Sequence, residues 1–112
     1  MFDQFRILVS GTNTDEAYTL VEVIVPPGGG VPGLHTHPQQ ETFFVLEGEL
    51  AIDTLRDGAP ARDVLQPGDV AIVPGMAPHT YRNTSSAPAR YISVQVPGGF
   101  DRFLAELGIP IT

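Results

Sequence analysis

The chain has 112 residues, enough for one domain with a single modest core. A hydrophobic fraction of 42% and a charged fraction of 17% fit a folded globule. Thirteen acidic against six basic residues give a net charge of −7, which disfavours nucleic acid and anionic membrane surfaces as partners. There is no cysteine and no lysine, since all six basic residues are arginine. Disulfides, thiolate nucleophiles, Cys-based zinc sites, lysine Schiff bases and a phosphate-binding P-loop are therefore excluded by inventory.

Taken in chain order, the opening MFDQFRILVSG places Asp3 and Gln4 ahead of any apolar run and has no cationic segment. It does not read as a signal peptide. No apolar run approaches the roughly 18 residues of a spanning helix, so the expected compartment is the cytoplasm. Short apolar or alternating runs predict strands near 5–10, 17–25, 34–37, 41–47, 49–55, 61–66, 70–73, 79–83 and 89–96. Turn signals separate them: Pro26 to Gly30, Glu47-Gly48, Asp57-Gly58, Pro67-Gly68-Asp69, Pro74-Gly75 and Ser85 to Pro88. Asp57-Gly58 is the strongest hairpin cue, because both residues tolerate positive φ. In GFDRFLAELG, Phe100, Phe103, Leu104 and Leu107 fall on one helical face, with Gly108 as the stop. The expectation is one all-β domain over 1–112, a sandwich or barrel, with this short helix packed on its outside. An open sheet edge at FRILVS suggests a homodimer with that segment paired or exchanged.

Two of the three histidines sit in GLHTHPQQETFFVLEG, residues 33–48. On a strand the side chains alternate, so His35 and His37 point the same way with Thr36 opposite. Glu41, beyond the Pro38-Gln39-Gln40 bend, can rejoin that face. His79 opens another predicted strand in VPGMAPHTYRN. Two imidazoles and a carboxylate are a minimal facial set for a borderline transition metal, and the carboxylate tilts the choice toward iron or manganese.

The same alternation puts Phe43 and Val45 on the face of Glu41, as pocket walls or ordinary core, and Tyr81 on the face of His79, reaching substrate or solvent. Gln40 sits near the mouth, where it touches substrate or is simply an exposed loop residue. In the last strand Tyr91, Ser93 and Gln95 alternate with Ile92, Val94 and Val96, and the sequence leaves open which set faces inward. Glu22 is read on the solvent face and Asn83 as a turn former.

The wider spacing is Gly29-x5-His35-x-His37-x3-Glu41-x6-Gly48, then Gly68-x5-Pro74 with His79 and Asn83 behind it. This resembles the two signature motifs of the cupin superfamily, in order, over most of the chain. The nineteen residues between them look like the short connection of small microbial cupins. One position departs: the family pattern is Pro-x-Gly, whereas here Gly75 follows Pro74 and Met76 takes the glycine site. The closing VPGGFDRFLAELG looks like the tail of quercetin-dioxygenase-like cupins.

The resemblance implies a double-stranded β-helix, a jelly-roll barrel, holding one divalent transition metal through His35, His37, Glu41 and His79. Iron or manganese is favoured over nickel, zinc, cobalt or copper. Two coordination positions would stay free for water, O2 or substrate. The implied partner is a small-molecule substrate.

Three functions fit such a site. One is a dioxygenase-type oxidation of an enolic or phenolic compound, with Glu41 and Tyr81 as catalytic groups and Gln40, Phe43, Val45 and Tyr81 around the substrate. Another is redox-neutral isomerisation, epimerisation, cyclisation or lysis beside a carbonyl. The third is a non-catalytic small-ligand-binding module. The quercetinase-like tail favours the oxygenase. No G-x-S-x-G elbow supports a serine hydrolase.

Overall fold

The computed structural model describes residues 3–106. Eight strands follow one another: β1 Gln4–Val9, β2 Thr19–Val25, β3 Gln40–Glu47, β4 Leu50–Arg56, β5 Ala59–Leu65, β6 Val70–Val73, β7 His79–Arg82 and β8 Ala89–Val96. A 3-10 turn at Thr12–Thr14 precedes β2, and the helix α1, Phe100–Glu106, closes the order. Leu107 and Gly108, expected as the last turn and stop of that helix, lie outside the described residues.

All strand pairs are antiparallel. They form a five-stranded sheet, β1-β2-β8-β3-β6, and a three-stranded sheet, β5-β4-β7. Apolar residues from both sheets meet between them, with Val21, Val25, Phe43, Val45, Leu50 and Ile52 all at 2% exposure or less. β1 pairs with β2 and is an edge of the larger sheet. Asp57 and Gly58 both have positive φ, 53° and 78°, and join β4 to β5 as the hairpin cue predicts. Gly48 turns the chain between β3 and β4 at φ 74°, where a Cβ would run into the backbone oxygen of Pro88.

The strand expected over 34–37 does not form. The segment makes isolated bridges to β7 alone, Gly30 with Arg82 and His35 with His79. Pro32 and Pro38 flank it, and a proline has no N–H to continue a ladder. The His35–His79 bridge is closed by two backbone bonds of 3.0 Å, His35 N–H to the His79 oxygen and the reverse. Hence His35 is aligned opposite the first residue of β7 without a strand of its own.

The helix packs by its apolar face: Phe100 and Leu104 are buried and join the core cluster, while Arg102, Ala105 and Glu106 stay exposed. An amphipathic helix must bury its apolar face, and here the open side of the space between the sheets receives it.

The turn before β7 keeps its shape despite the missing glycine. Met76 adopts φ 63°, and its N–H reaches the His37 oxygen at 2.8 Å. A side chain in that left-handed region costs about 1–2 kcal/mol. Met76 is 59% exposed, so little packing offsets the cost. Met76→Gly is expected to stabilise the fold by up to about 1 kcal/mol, since glycine's extra unfolded-state entropy, about 0.4–1 kcal/mol, takes back part of the gain. A urea midpoint below that of the wild type would contradict this account of the turn.

Candidate metal centre

Side chains from the 31–37 segment, β3 and β7 converge between the sheets. The donor atoms of His35, His37 and His79 all lie within 4.8 Å of one another. Their rings are 4.7–5.9 Å apart. Glu41, on β3 and 4% exposed, points at the same place. Its Oε1 lies 3.2 Å from His37 Nε2 and 3.2 Å from His79 Nε2.

The other ring nitrogens set the tautomers. His37 Nδ1 is 3.0 Å from the Gln39 carbonyl oxygen, and His79 Nδ1 is 2.9 Å from that of Ala77. A carbonyl oxygen only accepts, so each Nδ1 carries the hydrogen. In neutral imidazoles both Nε2 atoms then present lone pairs to a carboxylate oxygen, also a lone-pair donor. Such a buried arrangement is satisfied by a cation between the three atoms, either a metal ion or a proton on an imidazole. The donor set therefore fits a borderline divalent metal.

Proton occupancy leaves its mark on the charges. Burial pushes Glu41 upward, but hydrogen bonds from His37, His79 and Ser93 together outweigh it and hold the carboxyl at about 2. Burial pulls His79 down, yet the Glu41 contact wins and its pKa is raised. His35 is lowered, first by burial and then by the neighbouring imidazoles. Its Nδ1 is buried without a partner among the described residues.

A cavity of about 300 Å³ opens onto this cluster. Its walls are Phe5 of β1, Val23 of β2, Val31, Tyr81 of β7, Tyr91 of β8, and Phe100 and Leu104 of α1. His35, Glu41 and Ser93 add the polar surface, and no arginine is among the lining residues. Phe100 also packs edge-on against His37, with ring centroids 5.5 Å apart.

Of the other residues singled out from sequence, Tyr81 lines this cavity and donates its hydroxyl to Asp3 Oδ2 at 2.6 Å. Phe43 and Val45 are fully buried on the face of Glu41 but stand outside the lining. They are core, with Phe43 packed against His79, Tyr81 and Tyr91. Gln40 is exposed and alternates to the opposite face from Glu41, so it too is absent from the wall. Asn83 is a staple of its loop: its amide donates to the Val25 and Ala87 oxygens, while its own oxygen receives Ser85. Glu22 faces outward and pairs with Arg6 and Arg90.

Sequence reasoning left β8 undecided. The inward set is Tyr91, Ser93 and Gln95, each at 1% exposure or less. It also missed Asp3 as the partner of Tyr81 and the two helix residues in the cavity wall.

Burial raises the pKa of both Tyr81 and Tyr91, and the Asp3 carboxylate adds to the effect at Tyr81. A phenol ordinarily ionises near 10. Above that pH the unfolded chain releases these two protons while the folded chain keeps them, so stability is full below pH 10 and falls as pH rises. Urea midpoints should drop steadily from pH 9.5 to 11. Phenolate absorbance at 295 nm should show no more than one of the three tyrosines ionised before unfolding.

Two antiparallel sheets enclosing a three-histidine cluster define a double-stranded β-helix with a candidate metal site. The cupin domain model matches residues 21–95, and the chain belongs to that family. It is 34% identical over 105 residues to quercetin 2,3-dioxygenase of Bacillus subtilis, a match that takes in 94% of this chain and 30% of that protein. The chain thus spans about a third of the length of that relative. A Thermus thermophilus protein of known structure shares 25% identity, with a TM-score of 0.73 over 86% of this chain and 84% of its own. A Klebsiella pneumoniae protein with a double-stranded β-helix domain superposes with a TM-score of 0.72 at 23% identity, over 88% of this chain and 79% of its own.

Proposed function

We propose that the protein is a metal-dependent oxygenase acting on a small enolic or phenolic compound. The observation that carries this reading is a three-histidine cluster with Glu41 at the end of a largely apolar cavity that has no arginine among its described lining residues. Beyond the ion itself, no arginine among the described lining residues is placed to pair with a carboxylate or phosphate on the substrate. The cavity volume lies at the lower limit of ligand pockets, which favours a compact ring system. Similarity to a quercetin 2,3-dioxygenase supports the oxidative choice.

His35, His37, His79 and Glu41 would hold the ion. When bound, a divalent transition metal supplies a Lewis-acid and redox centre at the cavity end. The chain's own residues do the rest. Phe5, Phe100 and Leu104 exclude water from the substrate's ring. Glu41 is the carboxylate that faces the cavity, so it accepts the substrate's hydroxyl proton. Transfer to a carboxylate is easiest from a hydroxyl acidified by conjugation, as in an enol or an activated phenol. Tyr81, tied to Asp3, stays protonated and presents a neutral wall.

Metal analysis of the purified protein, followed by O2 uptake with a panel of enolic and phenolic substrates, tests the reading. Iron or manganese with substrate-dependent uptake is the expected result. Turnover without O2 consumption would replace the oxygenase with redox-neutral chemistry.

A further inference from the structure

We propose that Ser93, oriented by Gln95, fixes Glu41 so that a single carboxylate oxygen is presented to the metal. The inference rests on the metal reading of the site and names the residues that set its ligand geometry.

Ser93 Oγ donates to Glu41 Oε2 at 2.7 Å, and Gln95 Nε2 donates to Ser93 Oγ at 2.6 Å. Glu41, Ser93 and Gln95 are all buried, at 4%, 0% and 0% exposure. The direction of each bond follows from chemistry. An amide nitrogen only donates, so Ser93 must accept from Gln95. The serine's one hydrogen is then free for Glu41, whose ionised carboxylate only accepts.

The register explains the placement. Gln95 pairs with Glu41 across β3 and β8, and Ser93 pairs with Phe43 one step along on the same inward face. Oε1 faces His37 Nε2 and His79 Nε2, while Oε2 is engaged from behind. Rotating Glu41 to bring both oxygens toward the imidazoles would break the Ser93 bond. It would leave the buried Ser93 hydroxyl without its acceptor. The pair therefore holds the carboxylate as a one-oxygen ligand and keeps the neighbouring position open to whatever occupies the cavity. Gln95 Oε1 has no partner among the described residues, so the side-chain amide's one hydrogen bond given there is the bond to Ser93.

The test uses the full chain and Co2+ alone as the probe, in the wild type, Ser93→Ala and Gln95→Met. Expected results are a roughly 10–100-fold weaker Co2+ affinity in Ser93→Ala, the usual effect of losing a partner behind a ligand, and a changed visible absorption envelope as Oε2 becomes free to coordinate. Gln95→Met should change both in the same direction and by less. It also reads the same relay should Ser93→Ala not fold. Wild-type affinity and an unchanged cobalt spectrum in the folded variants would overturn the inference while leaving the metal site intact. Failure of the wild type to bind Co2+ would instead remove the metal reading, and the inference with it.

Discussion

His79→Ala loses the metal and destabilises the metal-free protein at once. The first effect follows from removing one of three histidines whose donor atoms share one point. The second follows from Glu41, buried and charged, losing one of its partners. Breaking a buried pair costs about 3–5 kcal/mol. The lower end applies here, because His37 and Ser93 still reach the carboxylate. Glu41→Gln should separate the two effects. It weakens the metal by removing the ligand charge, yet it also removes the buried charge, so the metal-free protein keeps its stability or gains some. Metal content by elemental analysis and urea midpoints of the metal-free proteins read these effects independently. Full metal content in both variants would dissolve the shared site.

Chelation should lower the melting temperature by roughly 10–20 °C. An ion that binds only the folded chain stabilises it by about 2.7 kcal/mol at a hundredfold excess over its dissociation constant. For a domain near this size each kcal/mol moves the transition by about 4–8 °C. The unfolded chain offers no assembled competitor, because the ligands come from the 35–41 region and from residue 79. Reloading with iron or manganese should restore the transition. A melting temperature unmoved by chelation would mean that the ion is absent or peripheral.

Strand periodicity and turn chemistry carried much of the fold. The limits of β6 and β8 coincide with their apolar runs, and Asp57-Gly58 turned where two positive-φ residues permit it. The histidine convergence was legible too, although by a different route. His35 is held by an isolated bridge to His79 of β7, and the His37 oxygen by the Met76 N–H, with no strand between them.

What stayed hidden has a common cause. In β8 both alternating sets contain large apolar residues, and the inward one is the more polar, since Ser93 and Gln95 face the site while Ile92 and Val94 are only half-buried. Hydrophobic alternation assumes an oily interior, and a buried ligand cluster inverts it locally. The helix was legible as an element with its buried face, but the cavity wall that Phe100 and Leu104 form was not. Periodicity marks which face is apolar and says nothing about what covers it. Gln40 begins β3 on the alternate face from Glu41 and is exposed, which is the simpler of its two readings.

The larger sheet interleaves distant segments, with residues 19–25 beside 89–96 and these beside 40–47. Its central strand is the last of the eight to leave the ribosome. The β2–β8 and β3–β8 pairings close long loops before they are rewarded, so folding belongs to the slower, non-local regime of milliseconds to seconds. Ser93 and Gln95 ride on that same strand, so their hold on Glu41 is made only once β8 has paired with β3.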